Sequence, residues 1–207
     1  MFFLSKSAKD INKLVALLKA GQVVAGPTET AYGLLADATN PQAVKKVFSI
    51  KGRPARKPCP VVVANLAMAK KSAKFDSKAL ILARHFWPGP LTLVLPTLPS
   101  GWPRQLLAGQ TAIGLRLPGS LWLRHLVTRL GRPLTITSAN LSGQPVLYDY
   151  KLVVNQLSSQ GLKYVVKARR LPIRPVSTVI RVRAKGFKFL RLGAISQARI
   201  ESVIRYK

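Results

Sequence analysis

Residues 23–33 read Val-Val-Ala-Gly-Pro-Thr-Glu-Thr-Ala-Tyr-Gly, an apolar run followed by a Gly-Pro pair and a segment rich in hydroxyl groups. The apolar run over residues 23–25 predicts a short buried strand, which the Gly-Pro pair ends in a turn. A helix is predicted just before it, over residues 7–20, because apolar side chains recur there at spacings of three and four. The stretch therefore places hydroxyl groups and an aromatic ring, from Thr28 to Tyr32, at the end of a strand that follows a helix.

The alternation of helices and strands continues along the rest of the chain. Further helices are predicted over residues 40–51, 77–87, 121–130, 149–159 and 196–205. Further strands are predicted over residues 60–64, 91–95, 111–117, 134–137, 163–166, 176–183 and 187–192. This interleaving predicts an α/β fold, with a twisted mixed β-sheet and flanking helices, rather than a helical bundle or a β-sandwich. No repeat or low-complexity linker interrupts the pattern, so a single domain over residues 1–207 is expected.

Charge is the most unusual feature of the composition. The 207 residues include 34 Lys and Arg but only 6 Asp and Glu, which gives a formal net charge of +28. Such an excess predicts a polyanion partner, because binding a polyanion releases its counterions, although a solvated surface is the alternative. The densest basic stretch contains no acid and consists of Lys163, Lys167, Arg169, Arg170, Arg174, Arg181, Arg183, Lys185, Lys188 and Arg191. This stretch is the predicted site of contact with tRNA or another RNA.

Several classes of protein are excluded by composition. The apolar fraction of 48% argues against a disordered chain, and the single Cys59 argues against a disulfide scaffold or a structural zinc site. No apolar stretch reaches the roughly 20 residues that cross a bilayer, and the apolar N-terminal run is too short for an export signal. A cytoplasmic protein without membrane contact is therefore expected. The chain also lacks the phosphate-loop, dinucleotide-binding, hydrolase-elbow and metalloprotease motifs.

Three clusters of residues resemble parts of a binding site. The loop over residues 51–57 carries four cations that could hold a triphosphate, unless it is simply a solvated basic loop. Residues 137–143 place hydroxyl and amide groups after a predicted strand, where α/β sheets present ligand contacts, although Ser and Asn also favour plain capped turns. Residues 27–33 place hydroxyl groups at another strand end. Each cluster is weak evidence by itself.

Together with two further segments, the clusters form an ordered set of motifs. The set is Pro27-Thr-Glu-Thr-Ala-Tyr-Gly33, Lys51-Gly-Arg-Pro54, Trp87-Pro-Gly-Pro-Leu-Thr92, Gly114-Leu-Arg-Leu-Pro118 and Thr137-Ser-Ala-Asn-Leu-Ser-Gly143. In this order the motifs resemble the YrdC/TsaC family of threonylcarbamoyl-AMP synthases, in its short single-domain form. The resemblance covers nearly the whole chain, with weaker matches over residues 177–179 and 191–193.

The resemblance implies a fold, an activity and a set of partners. The fold would be YrdC-like, with the mixed sheet and its helices around a concave basic cleft. The activity would be that of a nucleotidyltransferase that joins L-threonine, bicarbonate and ATP into L-threonylcarbamoyladenylate and releases pyrophosphate. The product would serve the formation of N6-threonylcarbamoyladenosine (t6A) at position 37 of tRNAs that read ANN codons, after transient docking to the threonylcarbamoyl transferase complex. Mg²⁺ would be held mainly through the ATP phosphates, without a protein metal site.

The resemblance also assigns roles to individual residues. The catalytic signature residues would be Lys51, Arg53, Ser138 and Asn140. The residues that bind ATP would be Lys51, Arg53, Lys57, Asn140, Ser142 and Arg191. The residues around threonine would be Thr28, Thr30, Tyr32, Arg116, Ser138 and Ser177. Arg116 would pair with the threonine carboxylate, and the hydroxyl groups would recognise the threonine hydroxyl.

Two other functions fit the same fold. One is a non-catalytic module that binds tRNA or double-stranded RNA through its phosphates, which would be insensitive to threonine. The other is synthesis of a different carbamoyl adenylate, as in the YrdC-like modules of hydrogenase-maturation carbamoyltransferases. Two departures from the family pattern leave the RNA-binding hypothesis open. Arg181 follows the Ser-Thr-Val segment, where family members usually have an acid, and the basic residues 168–174 precede it, where they usually have a Gly-rich and often acidic loop.

Overall fold

The computed structural model describes residues 1–99, 101–183 and 186–205. Within them the chain forms eight helices and eleven strands. The helices are α1 (Ala8–Lys19), α2 (Pro41–Lys51), α3 (Leu66–Ser72), α4 (Ser77–Phe86), α5 (Arg104–Leu107), α6 (Leu121–Leu130), α7 (Tyr150–Leu157) and α8 (Gln197–Arg205). The strands are β1 (Phe2–Leu4), β2 (Val24–Pro27), β3 (Tyr32–Leu35), β4 (Val61–Val62), β5 (Leu91–Pro96), β6 (Ala112–Arg116), β7 (Leu134–Thr135), β8 (Thr137–Ser138), β9 (Tyr164–Val166), β10 (Thr178–Val182) and β11 (Phe187–Arg191).

The strands form two mixed sheets, where the sequence predicts one. The first sheet has the order β1-β9-β2-β3-β8, and the second has the order β11-β10-β5-β6-β4-β7. Both contain parallel and antiparallel pairs: β2 runs parallel to β9 and antiparallel to β3, and β5 runs parallel to β10 and antiparallel to β6. The predicted α/β class with mixed pairing and flanking helices is therefore confirmed, while the division of the strands is a feature of the tertiary structure.

The chain passes from one sheet to the other at residues 134–138. The sequence predicts one strand over residues 134–137, but β7 pairs with β4 of the second sheet and β8 pairs with β3 of the first. Ile136 lies between the two short strands, and its backbone N donates to the carbonyl of Pro60. This crossing places the loop after β8 where the two sheets meet.

Local sequence signals explain why α2 ends where it does. The Asn40 side chain accepts hydrogen bonds from the first backbone N–H groups of α2, and Pro41 occupies its first turn, where no N–H is needed. Gly52 ends the helix with φ of 59°, a left-handed conformation that glycine adopts readily. Lys51 is consequently the last helical residue, and the basic loop starts directly after it.

Buried hydrophobic side chains form three clusters. One packs the second sheet against α4 and α8, and another packs the first sheet against α2 and α7. The third includes Val24 and Leu35 of the first sheet, Val62 and Leu134 of the second, and side chains of α1 and α6. Since each fully buried side chain of this type contributes about 1.5–3 kcal/mol, the third cluster holds the two sheets firmly together.

Most predicted elements appear within a few residues of their expected bounds. Four elements have no counterpart in the sequence prediction: β1, β3, α3 and α5. β3 is missed because its partner β2 is reached through a Thr-Glu-Thr-Ala turn rather than an Asn-Gly or Asp-Gly turn. Lys185, one of the predicted RNA-contacting residues, lies outside the described residues. Among the helices of the described ranges, none has both the length and the apolar character needed to cross a bilayer.

Candidate active site

A cleft with a volume of about 310 Å³ is lined by residues of both sheets. Its walls come from the turn between β2 and β3, the end of α2, the loop after β8, and strands β5, β6, β10 and β11 with their ends. All of the predicted site residues line it: Thr28, Thr30, Tyr32, Lys51, Arg53, Lys57, Arg116, Ser138, Asn140, Ser142, Ser177 and Arg191. The structure thus brings together residues that are spread over most of the chain.

Lys51 is directed at the loop after β8. Its Nζ donates to the carbonyl oxygens of Ser138 and Asn140 at 2.7 and 2.9 Å, and its two further acceptors, Asn140 Oδ1 and Ser138 Oγ, lie at 3.0 and 3.3 Å. Burial of the ammonium, followed by the positive charge of Arg53, lowers the pKa of Lys51 to about 8. The three ammonium protons are used within the protein, so Lys51 fixes the loop and contributes its charge to the cleft.

Asn140 completes this anchorage. Its Nδ2 donates to the carbonyl oxygens of Leu141 and Gln144 at 3.0 and 2.6 Å, while its Oδ1 accepts from Lys51. The backbone N of Ser142 donates to the carbonyl of Lys51 at 2.9 Å. Both polar ends of the Asn140 side chain are engaged, so it shapes the loop from which Ser138 and Ser142 line the cleft.

Arg53 organises the basic loop that follows α2. Its guanidinium donates to the carbonyl oxygens of Lys57 and Pro58 at 3.0 and 2.5 Å and to Thr137 Oγ1 at 3.3 Å. Its Cζ lies 5.8 Å from the centre of the Phe48 ring. The loop therefore folds around the Arg53 side chain. Arg53 presents a fixed positive charge to the cleft, next to the exposed Lys57.

Arg116, the last residue of β6, forms an ion pair that joins the two sheets. Its Nη2 lies 2.7 Å from Oε1 of Glu29, which belongs to the turn between β2 and β3. Its Nε donates to the carbonyl of Gly89 at 3.2 Å, and Glu29 Oε1 also accepts from the backbone N of Gly119 at 2.6 Å. Burial lowers the pKa of Arg116, and the charge of Glu29 opposes that shift.

Ser177 and Arg191 lie together on the second sheet. Arg191 donates to the Ser177 carbonyl at 3.0 and 2.8 Å and to Ser177 Oγ at 2.9 Å, and Thr92 Oγ1 lies 3.0 Å from the same Oγ. Partial burial, followed by the positive charges of Arg116 and Arg53, lowers the pKa of Arg191. The charges of Arg53 and Arg116 thus act on Arg191 within the cleft.

The Thr-Glu-Thr turn contributes two buried hydroxyl groups. Thr28 Oγ1 donates to the carbonyl of Ala31 at 2.7 Å and lies 3.0 Å from Thr30 Oγ1. The Tyr32 hydroxyl instead donates to the carbonyl of Val166 at 3.1 Å, and burial raises the pKa of Tyr32 to about 12. The Tyr32 hydroxyl is thus held in the core of the first sheet, and Tyr32 reaches the cleft through other atoms.

The charged side chains of the cleft are all of one sign. Lys51, Arg53, Lys57, Arg116 and Arg191 line it, and no Asp or Glu of the described ranges is among its lining residues. Lys and Arg side chains hold phosphate and carboxylate groups through charge-assisted hydrogen bonds. A ligand that carries several negative charges, together with small hydroxyl or amine groups, matches this arrangement.

A family model for Sua5, YciO and YrdC proteins, with the description telomere recombination, matches residues 16–193. The chain belongs to the Sua5/YciO/YrdC family. The resemblance inferred from the five motifs is thereby confirmed. The family match covers every cleft residue named above.

Relatives with known names share the sequence over most of this family member. It is 36% identical to the threonylcarbamoyl-AMP synthase of Bacillus subtilis (strain 168), over 97% of this chain and 58% of the relative. It is 35% identical to the threonylcarbamoyl-AMP synthase of Pyrococcus abyssi (strain GE5 / Orsay), over 90% of this chain and 55% of the relative. The chain therefore spans little more than half the length of these two relatives.

A solved structure of the family shows the same fold. The crystal structure of P. abyssi Sua5 complexed with L-threonine superposes with a TM-score of 0.93 at 32% sequence identity. The match covers 99% of this chain and 61% of that chain. The predicted YrdC-like architecture is therefore confirmed.

Three polar cleft residues of this family member have no role predicted from the sequence. Thr92 pairs with Ser177, Thr137 accepts from Arg53, and Gln144 accepts from Asn140 through its carbonyl. Thr92 and Thr137 belong to the quoted motifs, but only the pairing of strands shows that they face the cleft. Arg181, one departure from the family pattern, is not among the described cleft residues and donates to Gln110 Oε1 at 2.6 Å.

The donor set of the cleft is unsuited to a resident metal ion. Within the ranges that the structure describes, no three His, Cys, Asp or Glu side chains are grouped so that they could hold a metal. Magnesium prefers oxygen ligands, usually carboxylates with water and substrate phosphates. In this cleft, the phosphates of a bound nucleotide would have to supply most of them.

Proposed function

We propose that this protein is an L-threonylcarbamoyladenylate synthase, a transferase of the nucleotidyltransferase class. It condenses L-threonine, bicarbonate and ATP into threonylcarbamoyl-AMP and pyrophosphate, as a step of t6A formation at position 37 of tRNAs. The observation that carries the proposal is the cleft itself, in which five cations, with no acid among the described lining residues, lie beside two buried threonine hydroxyl groups. The names of the relatives and the threonine complex of the P. abyssi protein support it.

The chemistry of this reaction needs no protein nucleophile. The threonine amine adds to bicarbonate and water leaves, which gives a carbamate. A carbamate oxygen then attacks the α-phosphorus of ATP, and pyrophosphate leaves with the electron pair of the broken P–O bond. Holding three substrates in line and stabilising the negative charge of the leaving group supply most of the acceleration in such a reaction.

The basic wall of the cleft provides for ATP. Arg53 and Lys57 face the triphosphate, and Arg191 and Ser142 complete the nucleotide side. Lys51 and Asn140 act mainly by fixing the loop over residues 138–144, and Lys51 adds its charge. Mg²⁺ enters with ATP and is coordinated by phosphate oxygens and water.

A second set of lining residues provides for threonine. The Arg116 guanidinium pairs with the carboxylate, because an arginine fork matches a carboxylate geometrically and electrostatically. The hydroxyl groups of Thr28, Thr30, Ser138 and Ser177 surround the other polar groups of threonine. Tyr32, whose hydroxyl donates to the Val166 carbonyl, supports the turn between β2 and β3. A site with such hydroxyl partners discriminates against an amino acid that lacks the side-chain hydroxyl.

The other expectations from the sequence belong to the same proposal. They are a single domain over residues 1–207, a cytoplasmic location, contact with tRNA, and transient docking to the threonylcarbamoyl transferase that uses the product. Docking follows from the chemistry, since a carbamoyl adenylate is a reactive mixed anhydride and benefits from direct transfer.

Non-catalytic RNA binding is the second candidate function. Besides Arg191, which also lines the cleft, seven described basic residues of the predicted stretch are exposed, and no acid lies between residues 163 and 191. They are Lys163, Lys167, Arg169, Arg170, Arg174, Arg183 and Lys188. Such a surface binds nucleic acid with a steep dependence on salt concentration.

Release of pyrophosphate from ATP tests the main proposal. The purified protein is supplied with MgATP, L-threonine and bicarbonate together, and then with each omitted in turn. Release that requires both L-threonine and bicarbonate supports the synthase, and replacement of threonine by L-2-aminobutyrate, which lacks the hydroxyl, should lower the rate sharply. No release above background from the folded protein refutes it and leaves RNA binding as the function.

A matched pair of variants separates the cleft from general positive charge. Arg53→Ala removes a cation that lines the cleft, and Arg56→Ala removes an exposed cation of the same loop that does not line it. The rate should fall by about 100-fold or more in Arg53→Ala and by less than about threefold in Arg56→Ala. Equal effects of the two substitutions would contradict the assignment of Arg53 to the triphosphate.

A further inference from the structure

We propose that Glu29 is the positioning residue for Arg116, and that it sets the affinity of the site for the carboxylate of the amino-acid substrate without touching the substrate itself. This inference rests on the proposed function, because it concerns the threonine side of the same cleft. Neither the family motifs nor the predicted roles assign a function to Glu29.

The two threonines of the Thr-Glu-Thr turn and the acid between them play different parts. Thr28 and Thr30 line the cleft, and Glu29 does not. The Glu29 side chain lies beside Gly119, where an added Cβ would be in ordinary van der Waals contact with Oε1, at 3.5 Å. The turn thus presents hydroxyl groups to the ligand and a carboxylate to the back of Arg116.

The contacts of Arg116 show what this carboxylate does. Nη2 of Arg116 donates to Glu29 Oε1 at 2.7 Å, and Nε donates to the Gly89 carbonyl at 3.2 Å. Two edges of the guanidinium are therefore held by the protein. The side chain is only 5% exposed but lines the cleft, so it meets a ligand in a fixed orientation.

Charge gives Glu29 a second effect on Arg116. Burial removes water from the Arg116 guanidinium, and the positive charge of Arg191 acts against it. The opposite charge of Glu29 compensates for these costs. Glu29 Oε2 is itself buried without a hydrogen-bond partner among the described residues, so no donor at that oxygen weakens the negative charge that acts on Arg116. Within the described ranges, the carboxylate accepts from Arg116 and from the Gly119 backbone alone.

The ion pair also links the two halves of the cleft. Glu29 belongs to the hairpin of the first sheet and Arg116 ends a strand of the second. Loss of the carboxylate would therefore release Arg116 from the wall that carries the threonine hydroxyl partners. We expect Arg116 to shift relative to the hydroxyl groups, so that threonine could no longer contact both at once. The residues proposed to bind ATP should keep their positions.

Steady-state kinetics and calorimetry test the inference. Glu29→Gln keeps the shape and one acceptor but removes the charge, and it should raise KM and Kd for L-threonine by about 10-fold or more. KM for ATP and kcat should stay within about twofold, and binding of L-threonine amide, which lacks the carboxylate, should change far less than that of threonine. Glu29→Asp, which keeps the charge on a shorter side chain, should restore part of the loss.

Matched variants separate positioning from a general structural role. Asp37→Asn removes the charge of another buried acid that pairs with an arginine, Arg132, and it should leave KM for threonine unchanged. In an Arg116→Ala background, Glu29→Gln should add little, because Glu29 acts through Arg116. If Glu29→Gln does not fold, Glu29→Asp and the same Arg116→Ala background carry the test.

Three results would overturn the inference. They are unchanged threonine affinity in the folded Glu29→Gln protein, an equal loss for threonine and ATP, and a full additional effect in the Arg116→Ala background. If the wild-type protein itself binds no threonine, the proposed function fails first, and this inference fails with it.

Discussion

Replacement of Lys51 by methionine tests how the cleft is built. Methionine is similar in length but carries no charge, so the substitution removes the ammonium and its contacts with the loop after β8. The sequence suggests that Lys51 binds phosphate directly, whereas the structure shows it saturated by protein acceptors. The two views predict different effects on stability.

The magnitude follows from two opposing effects. Three buried acceptors lose their donor, namely the carbonyl oxygens of Ser138 and Asn140 and the Asn140 Oδ1, at about 1–3 kcal/mol each. The desolvated ammonium disappears at the same time, and a pKa lowered from 10.5 to about 8 corresponds to relief of about 3 kcal/mol. The net expectation is destabilisation by about 3 kcal/mol, or a fall in Tm of about 6–12 °C.

Activity should respond more strongly than stability. Loss of the Lys51 charge and displacement of the loop over residues 138–144 should lower the rate of pyrophosphate release by about 100-fold or more, as removal of one preorganised donor does in other enzymes. Urea unfolding and pyrophosphate release measure the two effects on the same protein.

Lys45→Met is the matched control, because Lys45 is an exposed residue of the same helix. It should change neither the free energy of unfolding by more than about 0.5 kcal/mol nor the rate by more than about twofold. A Lys51→Met protein that unfolds like the wild type would refute the anchoring role. One that keeps its rate within about threefold of the wild type would refute the role of Lys51 in the cleft altogether.

Two pH dependences and two further substitutions have defined outcomes. Lys51 loses its proton as the pH rises through about 8. Calorimetric titrations at pH values above about 8 should therefore give a higher Kd for a non-hydrolysable ATP analogue, and Lys51→Arg should abolish this dependence. The unfolded lysine keeps its proton up to about pH 10.5, so the Lys51 contribution to stability should increase with pH between about 8 and 10.5, which urea unfolding at several pH values would detect. Gly193→Ala would drive a Cβ into the Val176 carbonyl oxygen and place it 2.7 Å from the Ser177 carbonyl carbon, so it should destabilise the protein by more than about 2 kcal/mol in urea unfolding. Wild-type stability would contradict this packing. Tyr32→Phe should cost about 1 kcal/mol of unfolding free energy through loss of the bond to Val166, and a change in threonine Kd above about twofold would show that the hydroxyl meets the ligand instead.

Local signals in the sequence explain why so much of the site could be predicted. Asn40, Pro41 and Gly52 determine where α2 begins and ends, and thus where Lys51 and Arg53 lie along the chain. Gly and Pro residues end the strands next to the hydroxyl-rich segments. These are effects of neighbours in sequence, so they act in the same way wherever the segment lies in the fold.

The pairing of distant segments could not be predicted in this way. Residues 134–138 look like a single strand, but cross-strand packing divides them between β4 and β3. Glu29 and Arg116 are 87 residues apart, and nothing local to either indicates that they form an ion pair. The same holds for Thr92 and Ser177, which meet only because β5 and β10 are neighbours.

The sequence by itself determined the alternation of helices and strands, the excess of positive charge and the ordered motifs that supply most of the predicted cleft residues. The tertiary structure alone decided that the strands divide into two sheets and that Lys51 and Asn140 anchor a loop. It also decided that the Tyr32 hydroxyl lies in the core and that Glu29 forms an ion pair with Arg116. The physical reason is the range of the interactions involved. Capping, turns and apolar periodicity act over a few residues, whereas strand pairing, burial of charge and ion pairs depend on which distant segments come to lie within a few ångströms of one another.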